Sequence, residues 1–306
     1  MNSKKANRLF LSVVMLHFVL IALLIVSSPF FSLGIVGNLV VSQMIILLPA
    51  VISLLLGKEK IKICDLGFRK IKFSTLCLVI LYTILCMPLV TVVNAISMLF
   101  VDNTVVALSN EILELPFAMA FFLIAIAGPF SEELVFRGVV FNSYQKEGNT
   151  LGAILLSALV FGFMHMNFNQ AGYAFVIGIA LSFSFVATNS IWAPVIMHFI
   201  INGQSVCMMY LSEALMPGSV MEEAEAVTKD ELLMSIGIYS IIAAVTTVLA
   251  VCLLIFIADR EGQKEKLYHI LVKPEGTRHR VTLSLIIAFI LSFVYMSLEI
   301  VAMAIM

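Results

Sequence analysis

Long apolar runs, separated by short polar or charged segments, make up most of this 306-residue chain. A run of 18 or more apolar residues is long enough to cross a bilayer as a helix. The pattern therefore predicts an all-α, polytopic bundle of eight or nine transmembrane helices. The predicted spans are approximately 9–31, 35–56, 73–100, 116–141, 150–166, 170–188, 190–211, 232–258 and 281–306.

Positive charges lie almost entirely on one side of this predicted topology. If the N-terminus is cytoplasmic, 16 of the 18 Lys and Arg residues fall in predicted cytoplasmic segments. Those segments are 1–8, 57–72, 142–149 and 259–280. The two exceptions are Arg137, inside a predicted helix, and Lys229. Such an asymmetry is what the positive-inside rule predicts for nine spans, so we expect a cytoplasmic N-terminus.

Composition leads to the same class of protein. Hydrophobic residues make up 61% of the chain and charged residues only 12%, whereas a soluble domain carries about 25% charged residues. We therefore expect one integral-membrane domain over residues 1–306, placed in the plasma membrane if the protein is bacterial. No basic, aromatic-rich stretch indicates a nucleic-acid partner. The five cysteines are scattered without a CxxC pair, which predicts neither a disulfide framework nor a thiolate zinc site.

Three short polar clusters lie inside the apolar spans and predict a buried site for chemistry, within the region of about residues 115–210 that we expect to be the catalytic core. An ionised side chain near the bilayer centre costs ~2.5–3.5 kcal/mol on insertion scales, so such groups are rare without partners and a function. The alternative is that they only join helices by hydrogen bonds. The clusters contain Glu132, Glu133 and Arg137 in SEELVFRG, His165 in FGFMH, and His198 and Asn202 in HFIIN.

The first cluster offers two glutamates with different surroundings. We expect Pro129 to interrupt the helix and Ser131 to cap the segment that restarts. Glu133 and Arg137 are spaced i, i+4 and can form an ion pair on one face. Adjacent residues point about 100° apart around a helix. We therefore expect Glu133 to form a structural pair with Arg137, and Glu132 to face a cavity as the catalytic base.

The three clusters, in this order, resemble the signature of the CAAX prenyl protease and bacteriocin-processing family of intramembrane proteases (the CPBP or ABI family). Its pattern is EExxxR, then FxxxH, then HxxxN or HxxxD. The resemblance implies an all-helical membrane endopeptidase that cuts membrane-embedded or lipidated peptides in or near the bilayer. Eukaryotic members trim the last three residues from prenylated CAAX proteins, and bacterial members are linked to bacteriocin maturation and self-immunity. The matching residues are Glu132, Glu133, Arg137, Phe161, His165, His198 and Asn202.

Residue roles follow from the same resemblance. It implies that Glu132 and His165 activate the attacking water, while His198 and Asn202 bind the oxyanion. A zinc ion is an alternative, held by Glu132, His165 and His198 as in a metalloendopeptidase. We favour the metal-free version, because HExxH is absent and the same residues are fully used without a metal.

Two other classes of function stay open at this stage. A non-catalytic bacteriocin self-immunity or scaffold protein could have the same fold, although intact signature residues argue against it. A transporter would also use intramembrane Glu and His. The sequence, however, has no visible inverted repeat and gathers its intramembrane ionisable groups into one region.

Overall fold

The computed structural model describes residues 1–56, 63–218, 228–272 and 280–305, and all regular structure in these ranges is helical. The predicted all-α helical bundle is confirmed. Each predicted span overlaps one long helix of the described chain. These helices are α1 (Ser3–Ser27), α2 (Ile35–Leu55), α3 (Phe73–Met98), α4 (Phe117–Gln145), α5 (Thr150–Met164), α6 (Phe168–Thr188), α7 (Trp192–Leu215), α8 (Lys229–Arg260) and α9 (Leu283–Ile305).

Seven helices, α1 to α4 and α6 to α8, are long and apolar enough to cross a membrane. Within the described ranges, α5 and the Leu283–Leu298 part of α9 are apolar but shorter. The count of eight or nine membrane crossings therefore stays a prediction. The bundle is nevertheless a multi-pass membrane protein by the length and composition of its helices.

Helices α4 to α7 form the centre of the bundle, because their side chains are the most completely buried. Phe141, Phe161, Leu181 and Met197 come from these four helices in turn, and each is at most 1% exposed. Helix α6 packs between α3 and α5, while α7 packs along the first half of α4. Helix α8 lies along α3, and α9 lies beside α1. This arrangement brings the three polar clusters of the sequence to the bundle interior.

Helix α4 is continuous through Pro129, so the predicted interruption and the capping role of Ser131 are wrong. Wide π-helical turns over Phe121–Ala127 and Leu134–Phe141 flank a short α-helical stretch. The Gly128 N–H reaches back five residues to the Leu123 carbonyl. A π-helical turn accommodates the missing N–H of Pro129 without ending the helix, and such turns are frequent at functional sites. The Ser131 hydroxyl instead lies 2.9 Å from the Gly128 carbonyl oxygen.

The segment before α3 folds against the turn between α6 and α7. Gly67 has a φ of +91°, and a Cβ at this position would lie 2.5 Å from the Phe185 ring, so only glycine fits. Its carbonyl accepts the Ile191 N–H at 2.8 Å. The Ser190 hydroxyl donates to the Arg69 carbonyl. These bonds hold Gly67 and Arg69, which belong to the predicted cytoplasmic segment 57–72, against the start of α7.

Candidate active site

The pair that the sequence predicted between Glu133 and Arg137 is present and lies in the protein interior. Both side chains are 0% exposed, and Arg137 Nη1 lies 2.8 Å from Glu133 Oε1. Arg137 Nη2 also donates to the Gly178 carbonyl of α6 at 3.1 Å. Its guanidinium stands 4.6 Å from the centroid of the Phe161 ring of α5. The arginine therefore joins α4, α5 and α6 around a buried charge pair.

His198 on α7 is oriented by the same glutamate, a contact that the sequence did not predict. Its Nδ1 lies 2.9 Å from Glu133 Oε1. A carboxylate accepts hydrogen bonds, so this contact places a proton on Nδ1. The other ring nitrogen, Nε2, then faces Glu132 Oε2 at 4.0 Å. Glu133 thus fixes both the position and the orientation of the imidazole.

His165 stands at the C-terminal end of α5 and is held by its own helix. Its Nδ1 lies 2.9 Å from the Phe161 carbonyl oxygen, which requires a proton on that nitrogen. The rings of Phe161 and His165 meet edge to face with centroids 5.0 Å apart, and those of Phe161 and His198 with centroids 5.9 Å apart. The Phe161 ring therefore packs against both imidazoles. The hydrogen bond to the Phe161 carbonyl uses only Nδ1 of His165, so Nε2 does not take part in it.

Glu132 has a partner from outside the polar clusters. Gln43 on α2 donates from Nε2 to Glu132 Oε1 at 3.2 Å, and its carbonyl oxygen accepts from the Ser131 hydroxyl. The hydroxyl contact orients the amide so that its N–H groups face the carboxylate. Sequence reasoning missed Gln43. The available signal was an amide side chain in the middle of a mostly apolar span.

Asn202 on α7 bonds to the irregular part of α4. Its Nδ2 donates to the Ile124 carbonyl at 3.0 Å. In a π-helical turn that carbonyl would accept from residue 129, but Pro129 has no N–H. Asn202 therefore supplies a hydrogen bond that the main chain cannot, and its amide keeps a second N–H.

These groups surround one cavity of about 470 Å³. Glu132, His165, His198 and Asn202 all line it, whereas Glu133 and Arg137 do not. The four residues predicted to be catalytic therefore share one space, and the two predicted to be supporting lie behind it. Gln43 and Phe161 also contribute to the cavity wall.

Comparisons with known proteins agree with this region of the chain. Residues 114–204 match the family described as "Type II CAAX prenyl endopeptidase Rce1-like". The family match defines residues 114–204 as the Rce1-like segment of this chain. The family resemblance drawn from the three clusters is confirmed, and the match includes every signature residue.

Two curated bacterial proteins are each similar to about a third of the chain. One is the "Putative membrane peptidase YdiL" of Bacillus subtilis (strain 168), 30% identical over 84 residues, or 28% of this chain and 34% of the relative. The other is the "Membrane-embedded CAAX protease MroQ" of Staphylococcus aureus (strain USA300), 34% identical over 101 residues, or 31% of this chain and 41% of the relative. The chain thus spans about a third to two fifths of the length of these relatives. No solved structure gives a significant match.

The zinc ligands predicted as an alternative in the Rce1-like segment are Glu132, His165 and His198. In the ranges that the structure describes, no group of three or more His, Cys, Asp or Glu side chains is arranged to hold a metal ion. The donor types suit zinc, but their arrangement in this chain does not form such a site.

Two asparagines follow His165 at the turn between α5 and α6. Asn167 caps α6 by accepting the Gln170 N–H at 3.1 Å. Asn169 donates to Asn94 and Ser97 of α3, at 3.0 and 2.8 Å. They fix the start of α6 against α3, so their contribution to the Rce1-like segment is structural.

Proposed function

We propose that this protein is an intramembrane endopeptidase that hydrolyses peptide bonds of membrane-associated substrates with an activated water. The single observation that carries the proposal is the shared cavity of Glu132, His165, His198 and Asn202. The Rce1-like match over residues 114–204 and the similarity to two bacterial membrane peptidases support it. A non-catalytic immunity or scaffold role is not favoured by these comparisons.

In the proposed reaction, a water molecule bound between Glu132 and His165 attacks the carbonyl carbon of the scissile bond. Glu132 accepts a proton from the water as the new C–O bond forms. The tetrahedral intermediate then collapses, the C–N bond breaks, and Glu132 returns the proton to the leaving amine. The free Nε2 of His165 accepts a hydrogen bond from the second O–H of the water and aligns the water for attack.

The developing oxyanion would be bound by Asn202 and His198. Asn202 has a second N–H, because its first is used by the Ile124 carbonyl. His198 donates from Nε2 when both ring nitrogens are protonated. Carboxylate oxygens of Glu133 and Glu132 lie 2.9 and 4.0 Å from its two nitrogens, so an imidazolium would be paired on both sides. Donors held in place before the reaction provide a large share of rate enhancement in acyl transfer.

The experiment that tests the function is hydrolysis of a quenched fluorescent peptide by the purified protein in nanodiscs, with and without an exhaustive metal chelator. We expect hydrolysis to proceed at an unchanged rate after chelation, because the proposed water is activated by Glu132 and His165 alone. Measuring bound metal in the same sample provides the control. Loss of activity that added zinc restores would overturn the metal-free reaction, and the absence of hydrolysis in every condition would favour a scaffold.

Gln43 extends the proposed machinery to α2, beyond the Rce1-like segment. We expect Gln43→Met to lower kcat by about 10- to 150-fold with KM within twofold, because a hydrogen bond to a charged group contributes about 1.5–3 kcal/mol. The amide touches the Glu132 carboxylate, so its loss affects the chemical step more than substrate binding.

Leu39→Met is the matched control for Gln43→Met. Leu39 lies one helical turn earlier on α2 and lines the same cavity. Its side chain has no hydrogen-bonding group, so the substitution removes no hydrogen bond. We expect this variant to keep kcat and KM. A Gln43→Met protein with unchanged kcat, or with an equal effect in both variants, would show that the amide does not position Glu132.

A further inference from the structure

We propose that the cavity is entered from the face of the membrane opposite the basic loops, which is the outer face. We further infer that its substrates are internal, uncharged peptide segments presented there by membrane-bound proteins. The substrate class rests on the proposed peptidase function, whereas the side of entry stands without it. Both inferences follow from which residues line the cavity and which residues close its other end.

The lining residues come from one half of the bundle. Helix α3 contributes Asn94 near its end, α6 contributes Gln170 near its start, and α7 contributes Met209 in its last turns. The connection between α3 and α4 adds Asn103 and Ile112. Since α3 and α7 end on the same face on which α4 and α6 begin, the cavity extends from Glu132 toward that face.

Helix α7 holds this connection in place at the cavity wall. The Tyr210 hydroxyl lies 2.7 and 2.8 Å from the carbonyl oxygens of Ile112 and Leu115. Ser205, one turn and a half earlier on the same helix, is exposed and lines the cavity. The wall is therefore ordered up to the face at which the connection lies, and Ser205 lies partway down it.

The opposite end of the site is closed by packing. The Gly67 carbonyl accepts the Ile191 N–H, and Asn142 of α4 donates to the Asp65 carbonyl at 3.1 Å. Phe141 and Ile191, which lie at this end, are both 0% exposed. Among the described residues, none from 63–72 lines the cavity. A peptide could not reach Glu132 from this end without displacing that packing.

Charge identifies the two faces. The closed end carries the basic segments, including Arg69, Lys146 and Arg260, and the positive-inside rule assigns such segments to the cytoplasm. The connection at the open end carries Asp102, Glu111 and Glu114 instead, all exposed. The open end therefore faces outward.

The lining also limits the kind of peptide. None of the described residues that line the cavity is Lys or Arg, and amide side chains such as Gln43, Asn94 and Gln170 alternate with apolar ones. Amides can hydrogen-bond to a peptide backbone, whereas a buried carboxylate needs a cation. A free C-terminus would meet acidic residues at the mouth and, among the described lining residues, no lysine or arginine inside. An internal segment has no terminal carboxylate, so it avoids the cost of burying that charge without a cation.

Labelling of single cysteines tests the side of entry. In a full-length protein with its five native cysteines replaced, Ser205→Cys reports the cavity, Asp102→Cys the open face and Lys146→Cys the closed face. We expect a membrane-impermeant maleimide to label Ser205→Cys and Asp102→Cys in intact bacterial cells. Lys146→Cys should react only after permeabilisation. Labelling of Ser205→Cys only after permeabilisation, or in neither preparation, would overturn the proposed entry.

Two fluorogenic peptides test the substrate class. They have the same uncharged sequence, with the scissile bond three residues from a C-terminus that is either amidated or free. We expect the amidated peptide to be cut at least tenfold faster, and equal or reversed rates would overturn the inference. Repeating the cysteine labelling with Glu132→Gln separates the two proposals, because accessibility does not require catalysis.

Discussion

Replacing Glu132 by Gln is expected to reduce kcat/KM for peptide hydrolysis by about 10²–10⁴-fold, the range for loss of a general base. Glutamine has nearly the same shape but cannot accept the proton of the attacking water. The side chain lines the cavity and is not part of the fully buried pair behind it. The thermal unfolding midpoint should therefore stay close to that of the wild type. Steady-state hydrolysis and thermal unfolding of the same nanodisc sample measure both effects.

Glu114→Gln provides the matched control, because it removes a carboxylate from the exposed connection at the open end of the cavity. Its kcat/KM should stay within twofold of the wild-type value. If Glu132→Gln retained wild-type activity, the proposed base would be wrong. An inactive Glu132→Gln protein that has also lost its fold would contradict the division of roles between the two glutamates.

Replacing Arg137 by Met should have the largest effect on stability, lowering the free energy of unfolding by about 3–5 kcal/mol. The substitution keeps most of the side-chain volume but removes the main cation beside Glu133, and both groups are 0% exposed. It also removes the bond to the Gly178 carbonyl and the contact with the Phe161 ring. Activity should fall together with stability, since Glu133 orients His198. Equilibrium unfolding in mixed detergent measures the change.

Lys70→Met is a suitable control, because it removes a cation from an exposed position. Its effect on the free energy of unfolding should stay within ~0.5 kcal/mol, as is usual for surface substitutions. The free energy of unfolding of Arg137→Lys should fall between those of these two variants. Lysine keeps the positive charge but lacks the planar guanidinium with its five N–H donors. A stable, active Arg137→Met protein would show that the buried pair is not what holds α4 to α5 and α6.

The helices could be predicted from sequence because their signal is local. Apolar run length alone placed a span on each of the long helices of the described chain, and i, i+4 spacing alone predicted the contact between Glu133 and Arg137. The behaviour of Pro129 was not predictable in the same way. A proline ends most helices, and the π-helical turn before it here receives a hydrogen bond from the Asn202 side chain of another helix.

The contacts that shape the site could not be predicted because they join distant parts of the chain. His198 lies 65 residues from Glu133, and Gln43 lies 89 residues from Glu132. No periodic pattern encodes such a pairing. Phe161 was predicted only as part of a motif, and its packing against three polar side chains becomes visible only when the helices are assembled. The roles of the cavity residues stay predictions until they are measured.

The most direct test of the account is whether hydrolysis, which marks each new C-terminus with solvent oxygen, requires Glu132. Wild-type protein and Glu132→Gln, each with chelator, are incubated with a mixture of uncharged peptides in water enriched in ¹⁸O, and the products are analysed by mass spectrometry. Our proposal predicts new C-termini that carry ¹⁸O in the wild-type sample and are missing from the Glu132→Gln sample. Identical products in the two samples, or no new C-termini in either, would contradict it.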